Sequence, residues 1–167
     1  DNTVMYSING EGEAVVIPRS WYEDGYVYAK IFGQGSFGVF SGAKQDYKDI
    51  GDDEAKKAIE YITVRGIMGM DGEGLFNPDE PITAAEFAKS LARTVTGTPD
   101  IESMFKKYPE FEETLSESKI SRQDMYAMSC YVLIDAGIIE MSEGGMVLRE
   151  YEDYQDIEDY AYIPLLT

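Results

Sequence analysis

Arg122 is the side chain in this sequence whose type and position best suit ligand recognition. It follows Ser121, which has the position of a helix N-cap, and Asp124 stands three residues after the serine. A guanidinium group can donate two parallel, charge-assisted hydrogen bonds to a carboxylate, and the amides of a first helical turn favour an anion nearby. The pattern predicts an anion-binding arginine. The simpler interpretation is a solvent-exposed arginine that pairs with Glu117 or Asp124.

Residues suited to catalysis are few. The sequence has no histidine, and its one cysteine, Cys130, stands among apolar residues, which predicts a small buried side chain. Aspartate and glutamate are so abundant that they mark no particular carboxylate pair. We therefore expect no enzymatic activity, no catalytic residue and no cofactor in these 167 residues.

Two glycine-containing segments look like ligand-binding loops but fit better as turns. Residues 33–39, Gly-Gln-Gly-Ser-Phe-Gly-Val, match the phosphate loop of protein kinases, but the chain lacks the His-Arg-Asp and Asp-Phe-Gly motifs that accompany it. In residues 71–74, carboxylate side chains stand at alternate positions, as they do in a calcium-binding loop. However, Phe76 and Ile82 stand where an EF-hand needs glycine and glutamate. We predict no metal site.

The acidic composition argues against several classes of partner. The net charge is −18, from 14 basic and 32 acidic residues. Nucleic acid binding depends on lysine and arginine neutralising phosphates, so it is not expected, and an anionic membrane is disfavoured as well. No apolar run approaches the roughly 20 residues of a membrane-spanning helix. Repulsion of an anionic ligand is screened beyond about 8 Å at physiological salt, so a few placed cations can still bind one.

Residues 1–43 have the pattern of short antiparallel strands. Apolar residues alternate in four stretches, at residues 4–8, 15–17, 26–32 and 37–40. Turn sequences such as Asn9-Gly10 separate these stretches. Because four short strands are too few for a sandwich of their own, we interpret this segment as the C-terminal part of a β-rich module.

In the rest of the chain, apolar residues recur at the spacing of a helix, and one type of helix start occurs twice. Residues 82–87 and 120–125 each hold an N-cap threonine or serine and an acidic residue three positions later, with an apolar pair around them. This is the pattern of a capping box with a hydrophobic staple. The second start opens a helix over residues 122–136 that ends at Gly137. A recurring helix start indicates a sequence repeat.

A further helix is predicted before the first start. Ala55, Ala58, Ile59 and Ile62 share one helical face, and Gly66 is the expected left-handed C-cap. A glycine-rich loop then leads to the first capping box.

In their order along the chain, these features resemble a surface-layer homology (SLH) repeat. The family pattern has an aromatic-x-Asp opening, a helix, Gly-Ile-x-x-Gly, Phe-x-Pro and Ile-Thr-Arg-Ala-Glu. The corresponding segments here are Tyr47-Lys48-Asp49, an alanine-rich helix, Gly66-Ile67-Met68-Gly69, Phe76-Asn77-Pro78 and Ile82-Thr83-Ala84-Ala85-Glu86. A second, altered copy covers residues 119–141, and Tyr151-Glu152-Asp153 resembles the opening of a third.

The resemblance implies an α+β chain in which a short antiparallel β segment precedes an α-helical repeat bundle of SLH type. The expected organisation is the end of a β-rich module at 1–43, a first repeat at 44–97, a degenerate second repeat at 98–149 and the start of a third at 150–167.

The resemblance also implies a function. SLH repeats attach bacterial surface proteins to the cell wall, and their grooves bind an anionic, pyruvate-bearing wall polysaccharide. Carried over to this sequence, such a groove would use Arg122 with Tyr160 and Asp153, and Gly137 and Arg149 are further candidates. We therefore expect a non-catalytic, extracellular anchoring module at a bacterial cell surface.

A protein–protein scaffold or spacer is the alternative. Ala84 stands where the family has the arginine after the capping threonine, and Glu54 stands where it has an aromatic residue near the first helix start. These differences favour a module that kept the SLH fold, lost glycan binding and contacts other surface proteins. Arg122 and Tyr160 favour glycan binding.

Overall fold

The computed structural model combines antiparallel strands with helices, which confirms the predicted α+β class. It describes residues 2–31, 33–42, 47–51, 55–106, 108–111, 115, 118–140, 154–157 and 161. The chain divides into two compact units, of which the first holds residues 1–80 with 96–98 and the second holds residues 81–95 with 99–167. The predicted repeat boundaries and the SLH-type bundle stay predictions.

The strands of the first unit form two antiparallel sheets within the described residues. They are β1 (Thr3–Ile8), β2 (Ala14–Val16), β3 (Ser20–Glu23), β4 (Tyr26–Ala29) and β5 (Ser36–Ser41). One sheet has the order β2-β1-β5, and β3 pairs with β4 as a hairpin. Strand β3 was not predicted, since its sequence Ser-Trp-Tyr-Glu lacks a clean alternation of apolar and polar residues.

The turn after β1 is longer than a two-residue Asn-Gly turn. The Asn9 side chain accepts the backbone N–H groups of Glu11 and Glu13 at 3.0 and 2.9 Å, and the Asn9 N–H donates to the Glu13 carbonyl at 2.9 Å. Asparagine commonly closes loops in this way because its short side chain reaches nearby amides. The loop sets the register in which Tyr6 faces Val16.

Helix α1 (Lys56–Val64) ends as the sequence predicts but buries a narrower face. Gly66 has φ +66° and donates to Thr63, and Ile67 donates to Ile62, which is a Schellman C-cap. Of the four residues on the predicted apolar face, Ala55 and Ala58 are exposed. Alanine buries too little apolar area to decide which face of a helix turns inward.

Two larger residues of α1 define its buried face instead. Ile59 and Thr63 are buried, and Ile59 packs with Tyr47 and Ile50 in a small cluster that Met70 and Phe76 join. The helix is thereby packed against the segment before it and the loop after it.

A buried serine links the β strands of the first unit to α1. Ser20 is 0 % exposed, and its hydroxyl accepts the Met5 N–H at 3.1 Å and donates to the Ile17 carbonyl at 2.8 Å. The Ser20 carbonyl accepts Nε and Nη2 of Arg65 at 3.2 and 2.9 Å, and Nη1 of that arginine donates to the Tyr61 carbonyl at 3.1 Å. The β hairpin and the end of α1 therefore share one hydrogen-bond network.

The second unit is built from helices α2 (Ala84–Thr96), α3 (Ile101–Phe105) and α4 (Arg122–Asp135), with a short 3-10 turn at Pro109–Phe111. Phe111 and Met128 are fully buried at its centre. Phe105 meets Phe111 edge to face, with 5.9 Å between ring centroids. Such aromatic pairs add about 0.5–1.5 kcal/mol to the free energy gained from area burial.

Helix α4 ends like α1. Gly137 has φ +62° and donates to Ile134 at 2.9 Å, while Ile138 donates to Leu133 at 2.9 Å. This is the same Schellman arrangement, formed by Gly-Ile in both places. A Gly-Ile pair thus ends both helices in the same way, although α1 precedes the first capping motif and α4 follows the second.

Candidate functional site

The two repeated helix starts lie side by side in the second unit. Residues 82–84 run antiparallel to residues 118–120, with a bridge between Thr83 and Lys119 and backbone hydrogen bonds of 2.9 and 3.3 Å. The start of α2 and the start of α4 are therefore fixed relative to each other by backbone contacts.

Both helix starts have the predicted N-cap, and in each the acidic residue three positions later bonds to the capping hydroxyl. The Thr83 hydroxyl accepts the Glu86 N–H at 3.2 Å and lies 3.3 Å from its carboxylate. The Ser121 hydroxyl accepts the Asp124 N–H at 3.1 Å and donates to the Asp124 carboxylate at 2.6 Å. Each side chain satisfies an amide that the first helical turn would otherwise leave without a partner.

Arg122, the first residue of α4, is exposed. The Asp124 carboxylate, one of its two expected partners, bonds to Ser121. Glu117, the other, lies outside the described residues. Within the part of the chain that the structure describes, no hydrogen bond or ion pair involves the Arg122 guanidinium. The geometry leaves this cation accessible beside a capped helix start.

Ala84 occupies the same position in α2 and differs in its surroundings. It is 1 % exposed, and its N–H donates to the Ser118 carbonyl at 2.9 Å. The first helix start thus presents neither a cation nor that amide to a ligand.

Asp49, in the aromatic-x-Asp opening of the first repeat, holds a loop in place. Its carboxylate accepts the Phe76 N–H at 3.0 and 3.1 Å from its two oxygens, and the Asn77 N–H at 2.6 Å. Loss of solvation raises the pKa of Asp49, but the hydrogen bonds from Phe76 and Asn77 outweigh it and leave the pKa below its ordinary value.

Asp71 closes the same loop from inside. One carboxylate oxygen accepts the N–H groups of Glu73 and Leu75 at 2.9 Å each, and the other accepts the Asn77 side-chain amide at 3.2 Å. The backbone bond from Leu75 contributes most to lowering the pKa of Asp71, against partial desolvation. Because the loop's own amides occupy these oxygens, the calcium-like spacing of residues 71–74 has a structural explanation.

Tyr47, the aromatic residue of the opening, is also structural. It is 8 % exposed, and its hydroxyl bonds to the hydroxyl of Thr63, which donates to the Ile59 carbonyl at 2.8 Å. In the first repeat, the opening therefore supports the helix and the loop from within.

The glycines of residues 33–39 have structural explanations too. Gly33 has φ +106°, in a loop that leads into β5. A Cβ at Gly38 would lie 2.4 Å from the Tyr6 ring, so a larger residue there would displace the ring from its place against β5. Close approach of a ring to the backbone is a common reason for glycine in a strand.

The structure covers two of the five predicted glycan-binding residues. Arg122 is exposed at the start of α4, and Gly137 is the exposed C-cap at its end. The other three, Tyr160, Asp153 and Arg149, lie outside the described residues. Their place in a common groove stays a prediction.

Two positions differ from what the sequence indicates. Cys130 is half-buried rather than fully buried, and burial raises the pKa of its thiol, which disfavours the reactive thiolate. Arg65, which the motifs did not single out, is 2 % exposed, with its guanidinium carbon 3.4 Å from the Tyr61 ring centroid. Its spacing of four residues from Tyr61 is the signal that could have identified this pair.

Two capped helix starts and an aspartate-clamped loop lie in the helical part of the chain, after a β segment. Residues 46–88 match the family model of the S-layer homology domain, which confirms the resemblance over about a quarter of the chain. Over these residues the chain is similar to an S-layer homology domain.

Domains of this family are non-catalytic, bind cell-wall polymers and associate with the cell surface. Comparison with curated proteins and with solved structures gives no match. Among the helices in the described ranges, none has the length and apolar character needed to cross a membrane.

Proposed function

We propose that this chain is a non-catalytic anchoring module that binds an anionic secondary cell-wall polysaccharide at the bacterial cell surface. The observation that carries the proposal is the S-layer homology match together with the accessible Arg122 at the second capped helix start. The binding groove combines Arg122 with Tyr160, Asp153, Gly137 and Arg149.

Arg122 acts as the charged anchor of this groove. A sugar carboxylate accepts two parallel N–H bonds from its guanidinium, an arrangement that a lysine ammonium cannot give. The capping box at Ser121 fixes where α4 begins, so the arginine leaves the helix at a defined position. The net charge of −18 repels an anionic glycan at long range, but screening leaves the local cation to determine binding.

Asp153 and Tyr160 complete the proposed groove from the third opening. In the first opening, the counterpart Asp49 uses both carboxylate oxygens on the backbone amides of Phe76 and Asn77. In this proposal Asp153 lines the groove, and the aromatic ring of Tyr160 provides the face that stacks on a sugar.

A scaffold function is the second candidate, and one observation favours it. Ala84 is buried at the position that Arg122 holds in the second start, so the first repeat lacks the charged contact. A chain that had lost glycan binding entirely would keep the helical core and contact other surface proteins instead.

Co-sedimentation with purified wall sacculi distinguishes the two functions. The chain is mixed with sacculi that retain their secondary polymer and with sacculi stripped of it. The anchoring proposal predicts sedimentation with the first and not with the second. A folded chain that sediments with neither, or equally with both, contradicts the proposal and directs the search toward protein partners.

A further inference from the structure

The β3–β4 hairpin presents three aromatic side chains on one face, which we call the aromatic strip: Trp21, Tyr28 and Tyr26. Trp21 lies directly opposite Tyr28 in the pairing, and Glu23 lies opposite Tyr26, so all four residues share a face. The rings of Trp21 and Tyr28 are stacked, with centroids 5.4 Å apart and planes 16° from parallel.

This face is turned to solvent. Trp21 and Tyr28 are each 44 % exposed, and Tyr26 is 69 % exposed. The opposite face carries Ser20, which is fully buried and bonded to Met5, and also Tyr22, which is 44 % exposed. Because Ser20 attaches the start of the hairpin to β1, the aromatic strip lies on a strand pair rather than on a loop.

The chemistry of the strip fits a sugar. Its members carry flat rings with polar edges, and the four positions of this face include no aliphatic side chain. The Trp21 indole N–H donates to the Glu23 carboxylate at 3.3 Å, which places a hydrogen-bond acceptor beside the rings. Aromatic faces pack against the C–H face of a sugar ring, while a carboxylate and phenol groups can bond its hydroxyls.

Charge selects among ligands that could stack on such rings. Glu23 and Asp24 lie in the hairpin, and the whole chain carries −18, so phosphate-bearing polymers and anionic lipids are repelled. An uncharged glycan meets no such penalty. Tyr26 stands two residues from Tyr28, about 7 Å along the strand, so the strip can contact more than one sugar ring of an extended chain.

We propose that the aromatic strip binds an extended, uncharged glycan. This inference goes beyond the proposed anchoring function, because it concerns a different ligand class and does not depend on Arg122. The chain would then hold two sugar-binding surfaces, one for an anionic polymer and one for a neutral chain.

Trp21 provides the readout because it is the only tryptophan in the sequence. We expect titration with cellohexaose or chitohexaose to change its fluorescence in a saturable way. Tyr28→Thr and Tyr26→Thr keep a strand-forming residue, and each should weaken binding tenfold or more. Tyr126→Ala is the matched control, since Tyr126 is 47 % exposed on α4, and it should bind as the original chain does.

Three results would overturn the inference. The first is a folded chain whose tryptophan emission responds to neither oligosaccharide. The second is an equal loss of binding in Tyr28→Thr and Tyr126→Ala. The third is a concentration-dependent dimer in sedimentation velocity that Tyr28→Thr abolishes, because the strip would then be a contact between copies. Arg122→Ala should leave the titration unchanged, so failure of this inference is distinguishable from failure of the anchoring proposal.

Discussion

Arg122 and Ala84 follow the capping residue in two similar helix starts, and their surroundings differ. Arg122 is exposed next to the capping serine, whereas Ala84 is buried with its amide bonded to Ser118. An arginine at position 84 would need room that the packed interior does not offer. The same position of the helix start is therefore accessible to a ligand in one case and part of the core in the other.

Asp49 is the residue whose role the sequence motif did not reveal. We expect Asp49→Asn to lower the Tm by a few degrees, because an amide cannot accept the Phe76 and Asn77 bonds as a carboxylate does. Thermal unfolding measured by circular dichroism at neutral pH tests this. Asp79→Asn, at an exposed position nearby, is the control and should leave the Tm unchanged.

The same residue predicts a pH dependence. The folded-state pKa of Asp49 lies below its ordinary value of 3.8, so its stabilisation is fully present above that value and is lost as the pH falls through the lower, folded pKa. The Tm difference between the original chain and Asp49→Asn should therefore shrink as the pH is lowered below 4. A difference that stays constant through this range would contradict the carboxylate clamp.

At the scale of elements, Arg65 joins helix α1 to strand β3. Its guanidinium donates twice to the Ser20 carbonyl and once to the Tyr61 carbonyl, and it is almost fully buried. Burial lowers the pKa of Arg65, although Tyr61 opposes that shift. Hydrogen bonds from a charged group are the strong kind, and leaving their buried partners unsatisfied is costly.

We predict that Arg65→Met destabilises the chain by about 2–3 kcal/mol, because the methionine fills the space but leaves the Ser20 carbonyl without a donor. Arg65→Lys should recover part of this loss, since one ammonium cannot reach every carbonyl that the planar guanidinium reaches. Urea unfolding followed by circular dichroism measures both changes. Equal stability of the methionine variant and the original chain would show that the network contributes nothing.

The paired helix starts give a second prediction at this scale. Thr83→Ala and Ser121→Ala should each cost about 1 kcal/mol, the usual value for losing an N-cap. Because the segments before α2 and α4 are bonded to each other, the double variant should differ from the sum of the single ones by at least about 0.5 kcal/mol. Urea unfolding of the four proteins tests this, and strict additivity would contradict an energetic coupling between the starts.

At the scale of the whole molecule, the sequence predicted elements that local chemistry determines. Capping boxes, glycine C-caps and the change from period two to a helical period depend on nearby residues, and the structure contains them where expected. The α+β class followed from that change of period.

Features that depend on distant residues were not accessible in this way. The bond from Arg65 to Ser20 joins residues far apart in sequence. The Asp49 carboxylate, in the segment before α1, bonds to backbone amides in the loop after α1. Which residues of the predicted apolar face around α1 are buried depends on neighbours that periodicity does not specify. For the proposed glycan site, the sequence predicted Arg122, but only the structure shows that it is exposed and that Asp124 bonds to Ser121.

The proposed role of Arg122 in binding an anionic wall polymer is tested by the affinity of Arg122 variants for sacculi that retain that polymer. We predict that Arg122→Ala weakens binding at least tenfold and that Arg122→Lys restores it only partly, since lysine lacks the paired donors. Lys57→Ala, which removes an exposed cation from α1, should bind as the original chain does. Undiminished binding by a folded Arg122→Ala variant, or an equal loss with Lys57→Ala, would contradict a specific role of Arg122 in binding the polymer.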